Sequence, residues 1–288
     1  MNRTFAPYFS RVPAPLFVLC AVVSVQFGAA LARPLFAIVG EAGTVFLRLL
    51  FAALILGLFF RPNLGLIYRQ QPRIVALFAL AMAASTVCFY IAVARIPLGI
   101  AIAIEFIGPL GVAVLNSRSW RDRLWVLIAA VSIALFVPDI GVSLDVWGVI
   151  AALCAAFFWG MYIIVSQRAG QVLPGFDGLV AGVILAALMM SIPGVMQGGW
   201  ALLRLDVLWQ SVVMAIAAAI IPFSFEYYAL TRMHARTYGI LVCTEPLAGA
   251  IIGWLLLNEA LNDRAIMAII GITIASLGST LTSKESHA

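Results

Sequence analysis

The chain has 288 residues, of which 64% are apolar and 10% are charged, where an ordinary soluble domain carries about 25% charged residues. That composition excludes a soluble globular protein and supplies apolar length for nine or ten membrane spans of about 20 residues each. The net charge of +5 lies in the connections between apolar runs, so it reads as a membrane-orientation signal and not as a nucleic-acid surface.

Cutting the sequence where Arg, Pro, Asn and Asp interrupt the apolar runs predicts ten spans, at 14–32, 43–60, 74–94, 98–115, 124–138, 147–166, 177–196, 209–230, 238–257 and 265–282. The expected fold class is an all-α polytopic membrane protein in membrane lipid. Arg3 and Arg11 precede the first run, and Ala30-Leu31-Ala32 resembles a leader cleavage site. Ser24, Gly28 and Ala32 nonetheless form a ladder of small residues that suits helix packing, which favours a retained helix. Span three ends in Phe89-Tyr90-Ile91-Ala92-Val93-Ala94-Arg95 and span eight in Glu226-Tyr227-Tyr228-Ala229-Leu230-Thr231-Arg232. Fourteen residues after each arginine stands a proline followed by leucine, Pro109 and Pro246. Span six carries its own small-residue ladder, Gly148, Ala152, Ala156 and Gly160.

These echoes divide the chain into a first five-helix unit at 1–138, a loop at 139–146 and a second five-helix unit with a short tail at 147–288. Five is odd, so the second unit must cross the membrane in the opposite sense, which makes an inverted repeat of the kind found in alternating-access transporters. With both termini in the cytoplasm, twelve Lys and Arg residues fall in inner connections and four in outer ones, Arg33, Arg95, Arg204 and Arg264. Positive residues are retained inside, so the bias supports ten spans and cytoplasmic termini.

Arg48 is the one cation left inside a span, and Glu105, Glu226 and Glu245 are the acids left inside apolar runs. A charge at the bilayer centre costs about 2.5–3.5 kcal/mol on insertion scales, so such residues are expected to face protein or a wet cavity. Glu105 has Pro109 four residues later on the same helical face, and Glu245 stands directly before Pro246. Each proline frees a carbonyl and allows a kink, and a freed carbonyl beside a carboxylate can hold a proton, a cation or an ammonium group. Arg48 either snorkels to the outer headgroups or turns inward, as counter-charge to Glu105 or Glu245 or as a fork for a substrate carboxylate. Pro222 is a third proline expected to kink its helix, and Glu226 after it pairs with a loop arginine or takes part in proton release. Tyr90 and Tyr227 occupy equivalent places before the loop arginines, as interfacial anchors or as lining of a cavity.

Cys20, Cys88, Cys154 and Cys243 are scattered singly, and His234 and His287 lie in a short loop and the tail. No metal site is expected from them. There is no GxxxxGK[ST] phosphate loop, hence no ATP coupling within the chain, and no cofactor is expected. An intramembrane enzyme would need a clustered nucleophile and base, or metal ligands, for which no histidine is placed.

The paired five-helix units, Arg48-Leu49, Phe158-Trp159-Gly160, and Glu245-Pro246 followed by Gly253 and Asn258-Glu259 resemble the EamA-type drug/metabolite transporters. Further resembling segments are Ile96-Pro97-Leu98-Gly99-Ile100-Ala101 through Glu105-Phe106 and Gly108-Pro109-Leu110, Gln167-Arg168-Ala169-Gly170, Ala229-Leu230-Thr231-Arg232 and Gly278-Ser279-Thr280-Leu281-Thr282. The resemblance implies a bacterial inner-membrane protein exporting small amino acids such as threonine and homoserine in exchange for protons. The placement of opposite charges at similar depth adds the expectation that Arg48 faces the substrate carboxylate and that Glu105 or Glu245 faces its ammonium group. The alternative is a permease of the same type for a different small metabolite or amino acid, acting as a facilitator or an importer.

Overall fold

The computed structural model describes residues 12–96, 101, 104–115, 120–134, 145–173 and 175–242, with the isolated positions 244, 245, 248, 263, 266–267, 270–271 and 274–275. Every described element is helical: α1 (Ala14–Phe60), α2 (Leu64–Gln70), α3 (Pro72–Val93), α4 (Ile107–Leu115), α5 (Trp120–Ala134), α6 (Val146–Val172), α7 (Asp177–Gly198), α8 (Leu205–Ala215), α9 (Ile221–Leu230) and α10 (Ala235–Val242). A 3-10 turn, Gly199–Leu203, joins α7 to α8, and a π turn, Ile216–Ile220, joins α8 to α9.

Five stretches are long and apolar enough to cross a bilayer: Pro34–Phe60, Pro72–Ala92, Val146–Val172, Asp177–Leu203 and Leu205–Leu230. They fall on expected spans two, three, six, seven and eight, and the shorter apolar helices Ala14–Val25 and Arg123–Ser132 fall on spans one and five. At most half of each span's apolar window is buried. Pro246, Cys243, Gly249, Gly253, Asn258, Glu259, the loop positions 139–144 and much of spans four, nine and ten lie outside the described residues.

One expected connection is placed differently. Residues 33–42 continue the helix past Arg33 and Pro34, and the break comes at Gly40, with φ 71° and ψ 176°. An unbroken helix of 47 residues would be about 70 Å long at 1.5 Å per residue, roughly twice the ~30 Å hydrocarbon layer. Glycine is the residue that takes a positive φ without a steric penalty, so the reversal falls on Gly40 and not on the proline.

The chain condenses into two compact units, Met1–Ala83 with Val165–Met233, and Ala84–Ile164 with His234–Ala288. In the first unit the N-terminal arm of α1 runs antiparallel to α8 and α9: Phe17 packs edge-on against Phe225 and Tyr228, Ser24 bonds to Ala217, and Leu35 and Val39 share a core with Val207 and Met214. The second arm runs antiparallel to α7, with Gly194 against Phe46 and Gly57 near Ile184. The two hairpin tips, at Gly40 and at Gly199 (φ 50°), are clasped by Gln197. Its Oε1 accepts from the Ala42 N–H at 2.6 Å and its Nε2 donates to Glu41 at 2.9 Å.

In the second unit the ladder of α6 lets backbones approach. Gly148 lies against Arg95 and Ile96, Ala152 is in a core with Ala92, Ile96 and Ala101, and Gly108 fits over the Ala156 carbonyl. Gly239 of α10 sits on the Pro109 carbonyl, where an added Cβ would come to 2.6 Å. Val126 and Ala129 of α5 pack with Ala113 and Ala275. Arg95 and Asp145 form an ion pair of 3.3 Å at the start of α6.

Candidate functional site

In the first unit Arg48 lies on the second arm of α1, half-buried, with its guanidinium carbon 5.3 Å from the centre of the Phe223 ring. The side chain therefore turns toward α9. A guanidinium over an aromatic face is held by the ring quadrupole. Phe223 and Glu226 are three residues apart, on one face of α9, so the acid on the face that Arg48 meets is Glu226, itself only 6% exposed. Glu226 is thus an interior acid at the end of an apolar helix.

Pro222 is buried at the start of α9, and the helix before it is wound as a π turn. The Ile221 N–H donates to the Ile216 carbonyl, five residues back. In that register the Ala217 carbonyl would be bonded by the N–H of residue 222, which proline lacks. The Ser24 hydroxyl donates to that carbonyl instead, at 2.6 Å, and the neighbouring Gly28 fits against Ala218. π turns are frequent at functional sites.

Tyr227 is 1% exposed, packed against Phe78 and Phe176 with ring centroids 6.2 and 6.1 Å away. It is therefore interior to the first unit. Its hydroxyl lies against Gly178 at the first turn of α7 and has no hydrogen-bond partner among the described residues. Tyr228 stacks with Phe176 and carries the Arg232 guanidinium 4.3 Å above its ring.

In the second unit Glu105 is half-buried just before the helix loosens at Phe106, three residues ahead of Pro109, which is buried. Cys88 of α3 and Cys154 of α6 are within electrostatic reach of one another, and Glu105 of Cys88. The Phe106 ring meets Trp159 edge-on at 5.1 Å. Glu245 is also half-buried, and the chain loosens before it at Thr244, whose N–H and hydroxyl both donate to the Leu241 carbonyl, at 3.0 and 2.7 Å. Tyr90 is half-buried on α3 beside Phe89, with ring centroids 6.1 Å apart. The first unit thus gathers Arg48, Pro222, Glu226 and Tyr227, and the second Tyr90, Glu105, Pro109 and Glu245.

Sequence reasoning passed over Asp177, Phe223 and the nearness of Cys88 to Glu105 and to Cys154. Asp177 has the sequence signal of an acid opening a helix. The thiols could have been found by depth, since Cys88, Glu105 and Cys154 all stand six or seven residues from the outer ends of their expected spans.

The EamA-like transporter family profile matches residues 146–281. Along nearly its whole length the chain is similar to the threonine/homoserine exporter RhtA of Salmonella typhimurium strain SL1344, at 38% identity over 270 residues, covering 93% of this chain and 91% of that protein. It is 37% identical over 273 residues to the threonine/homoserine exporter RhtA of Escherichia coli K12, covering 94% and 92%. A crystal structure of another protein, 20% identical, superposes with a TM-score of 0.73 over 94% of this chain and 98% of that one, a likeness of fold alone. The family match and the relationship to exporters over more than nine-tenths of both chains agree, and the chain belongs to the EamA-like transporter family.

Proposed function

We propose that this protein exports small amino acids of the threonine and homoserine kind across the bacterial cytoplasmic membrane in exchange for protons. The observation that supports it most directly is the similarity of 37–38% to threonine/homoserine exporters over more than nine-tenths of both chains. The reading includes ten spans arranged as two inverted five-helix repeats, both termini in the cytoplasm, and the boundary at 139–146. The sorting of Lys and Arg in the sequence and the apolar surface of the long helices support it.

A zwitterion needs one cation and one anion for its recognition. Arg48 supplies a fork for the carboxylate, and its inward turn onto Phe223 supports that role because the headgroup alternative leaves the guanidinium outside. Glu105 or Glu245 supplies the anion for the ammonium group, beside a stretch where the helix is loosened. Protonation of that carboxylate removes its attraction for the ammonium, so a proton arriving from outside releases the substrate outward. Tyr90 and Tyr227 line the same path, and Glu226 serves proton release.

The test is transport by the purified protein in proteoliposomes. Wild type is expected to exchange threonine with homoserine, with little exchange of aromatic or cationic amino acids, and to drive threonine efflux with an inward proton gradient. R48K keeps the charge but loses the bidentate fork, and exchange is expected to fall about tenfold or more, the worth of one to two charge-assisted hydrogen bonds. At least one of E105Q and E245Q is expected to abolish gradient-driven efflux. If both leave it unchanged, the carboxylate assignment fails; exchange of another metabolite with none of threonine overturns the substrate.

A further inference from the structure

The first unit holds a pair of groups that none of the roles above uses together: the Asp177 carboxyl and the Tyr227 hydroxyl. Asp177 opens α7 and is half-buried. Tyr227 is 1% exposed, and its hydroxyl makes no hydrogen bond among the described residues, a state that buried polar atoms rarely occupy without a functional reason. The two are within electrostatic reach of each other. Gly178 is what permits the approach, because a Cβ there would stand 2.5 Å from the Tyr227 oxygen. Phe78 and Phe176 flank the phenol ring, so the hydroxyl edge at the first turn of α7 is where its proton can pass.

Among the described residues, the basic groups at this end of the unit are engaged or exposed. Arg168 of α6, Arg69 of α2, Arg73 of α3 and Arg61 after α1 are exposed, and Arg232 lies over the Tyr228 ring at 4.3 Å. The Tyr68 hydroxyl donates to the Ala181 carbonyl at 2.9 Å. Glu226 stands next to Tyr227 on α9 and is the remaining acid there.

We propose that Asp177 and the Tyr227 hydroxyl form the proton exit of the first unit on the cytoplasmic side, a step that rests on the antiport and the orientation proposed above. The phenol O–H passes its proton to the Asp177 carboxylate through an intervening water, because the two groups are not hydrogen-bonded to each other, and the phenol oxygen takes up a proton from the interior, so that no charge stays on the ring. Asp177 then releases its proton to water at the cytoplasmic end and returns to the carboxylate. One proton has moved inward, and no other bond has changed.

The experiment measures threonine transport in proteoliposomes as a ratio, gradient-driven efflux divided by counterflow in the same vesicles. Substrate exchange needs no net proton passage, so the ratio isolates the exit from binding and from the amount of folded protein. D177N is expected to lower the ratio at least about tenfold, Y227F to lower it several-fold, and D177E to return it to within about threefold of wild type, as for loss and recovery of a positioned proton carrier. A ratio for D177N within about twofold of wild type overturns the exit, whatever the absolute rates. Where D177N yields no counterflow because it does not fold, Y227F, which removes a single oxygen, decides by the same ratio. If the wild-type protein shows counterflow but no gradient-driven efflux, the antiport reading itself falls, and the exit with it.

Discussion

Asp145 secures the start of α6 through both carboxylate oxygens. Oδ1 accepts from the Trp147 N–H at 2.7 Å and the Gly148 N–H at 3.4 Å, and Oδ2 accepts from Arg95 at 3.3 Å. These donors, the Trp147 amide first, hold its carboxyl below the usual aspartate range. A lowered folded value contributes stability that is present above the unfolded pKa, about 3.9, and is lost as pH falls through the folded one. Wild type is therefore expected to melt above D145A near neutrality, with the gap in Tm closing as pH drops below about 4. A gap that stays constant to the lowest pH would show that the carboxylate charge does not secure this helix end. An acid just before an apolar run is an N-cap signal readable in sequence, but its partner Arg95 lies outside any local window. Arg48 follows the same logic: its depth could be read from the chain, while the direction of its side chain depends on Phe223, which only packing brings near.

The π turn before α9 is an element whose shape comes from one missing hydrogen. Because Pro222 offers no N–H, the Ala217 carbonyl depends on the Ser24 hydroxyl across the packed arms of the first unit. S24A leaves that acceptor unsatisfied and is expected to lower stability by about 1–3 kcal/mol. P222A restores an N–H at the residue that the π register requires, so the same S24A change is expected to cost little in that background. A double-mutant cycle read by thermal unfolding in detergent isolates the coupling; additive effects would mean that Ser24 and Pro222 act independently. The ladder of Ser24 and Gly28 was legible as a packing face, and Pro222 as a helix disturbance. What was not legible is that the two meet, because a π register is chosen by the neighbours of a helix and leaves no period in its sequence. Gly40 makes the complementary point, since the chain reverses at a glycine whose positive φ is set by the Gln197 clasp, while Pro34, the louder signal, is carried inside the helix.

At the scale of the molecule, apolar length and charge sorting are written along the chain, whereas the grouping of helices is not. Apolar runs specify that a helix meets lipid or protein but not which partner it meets, so the compact units each draw on both halves of the sequence. Within the first unit the arginines can be sorted by position. Phe60 packs on Phe176 at 4.8 Å and Gly170 on Thr231, which gathers Arg61, Arg69, Arg73, Arg168 and Arg232 at one end. The other end carries the tips at Gly40 and Gly199 and Arg204, which is engaged by Asp206 at 2.8 Å. Trp200 at that tip is 87% exposed, and Trp209 is exposed nearby, as expected of aromatic side chains at a membrane interface. Positive residues stay in the cytoplasm, so the arginine-rich end is expected inside and Trp200 outside. The check uses a background with Cys20, Cys88, Cys154 and Cys243 replaced, carrying a single cysteine at position 200 or 69. In intact cells a membrane-impermeant maleimide is expected to label W200C at once and R69C only after permeabilisation. The reverse order would invert the orientation, and with it the side on which Asp177 meets water; labelling of both from outside would mean that the α3-to-α7 stretch does not cross the membrane an odd number of times.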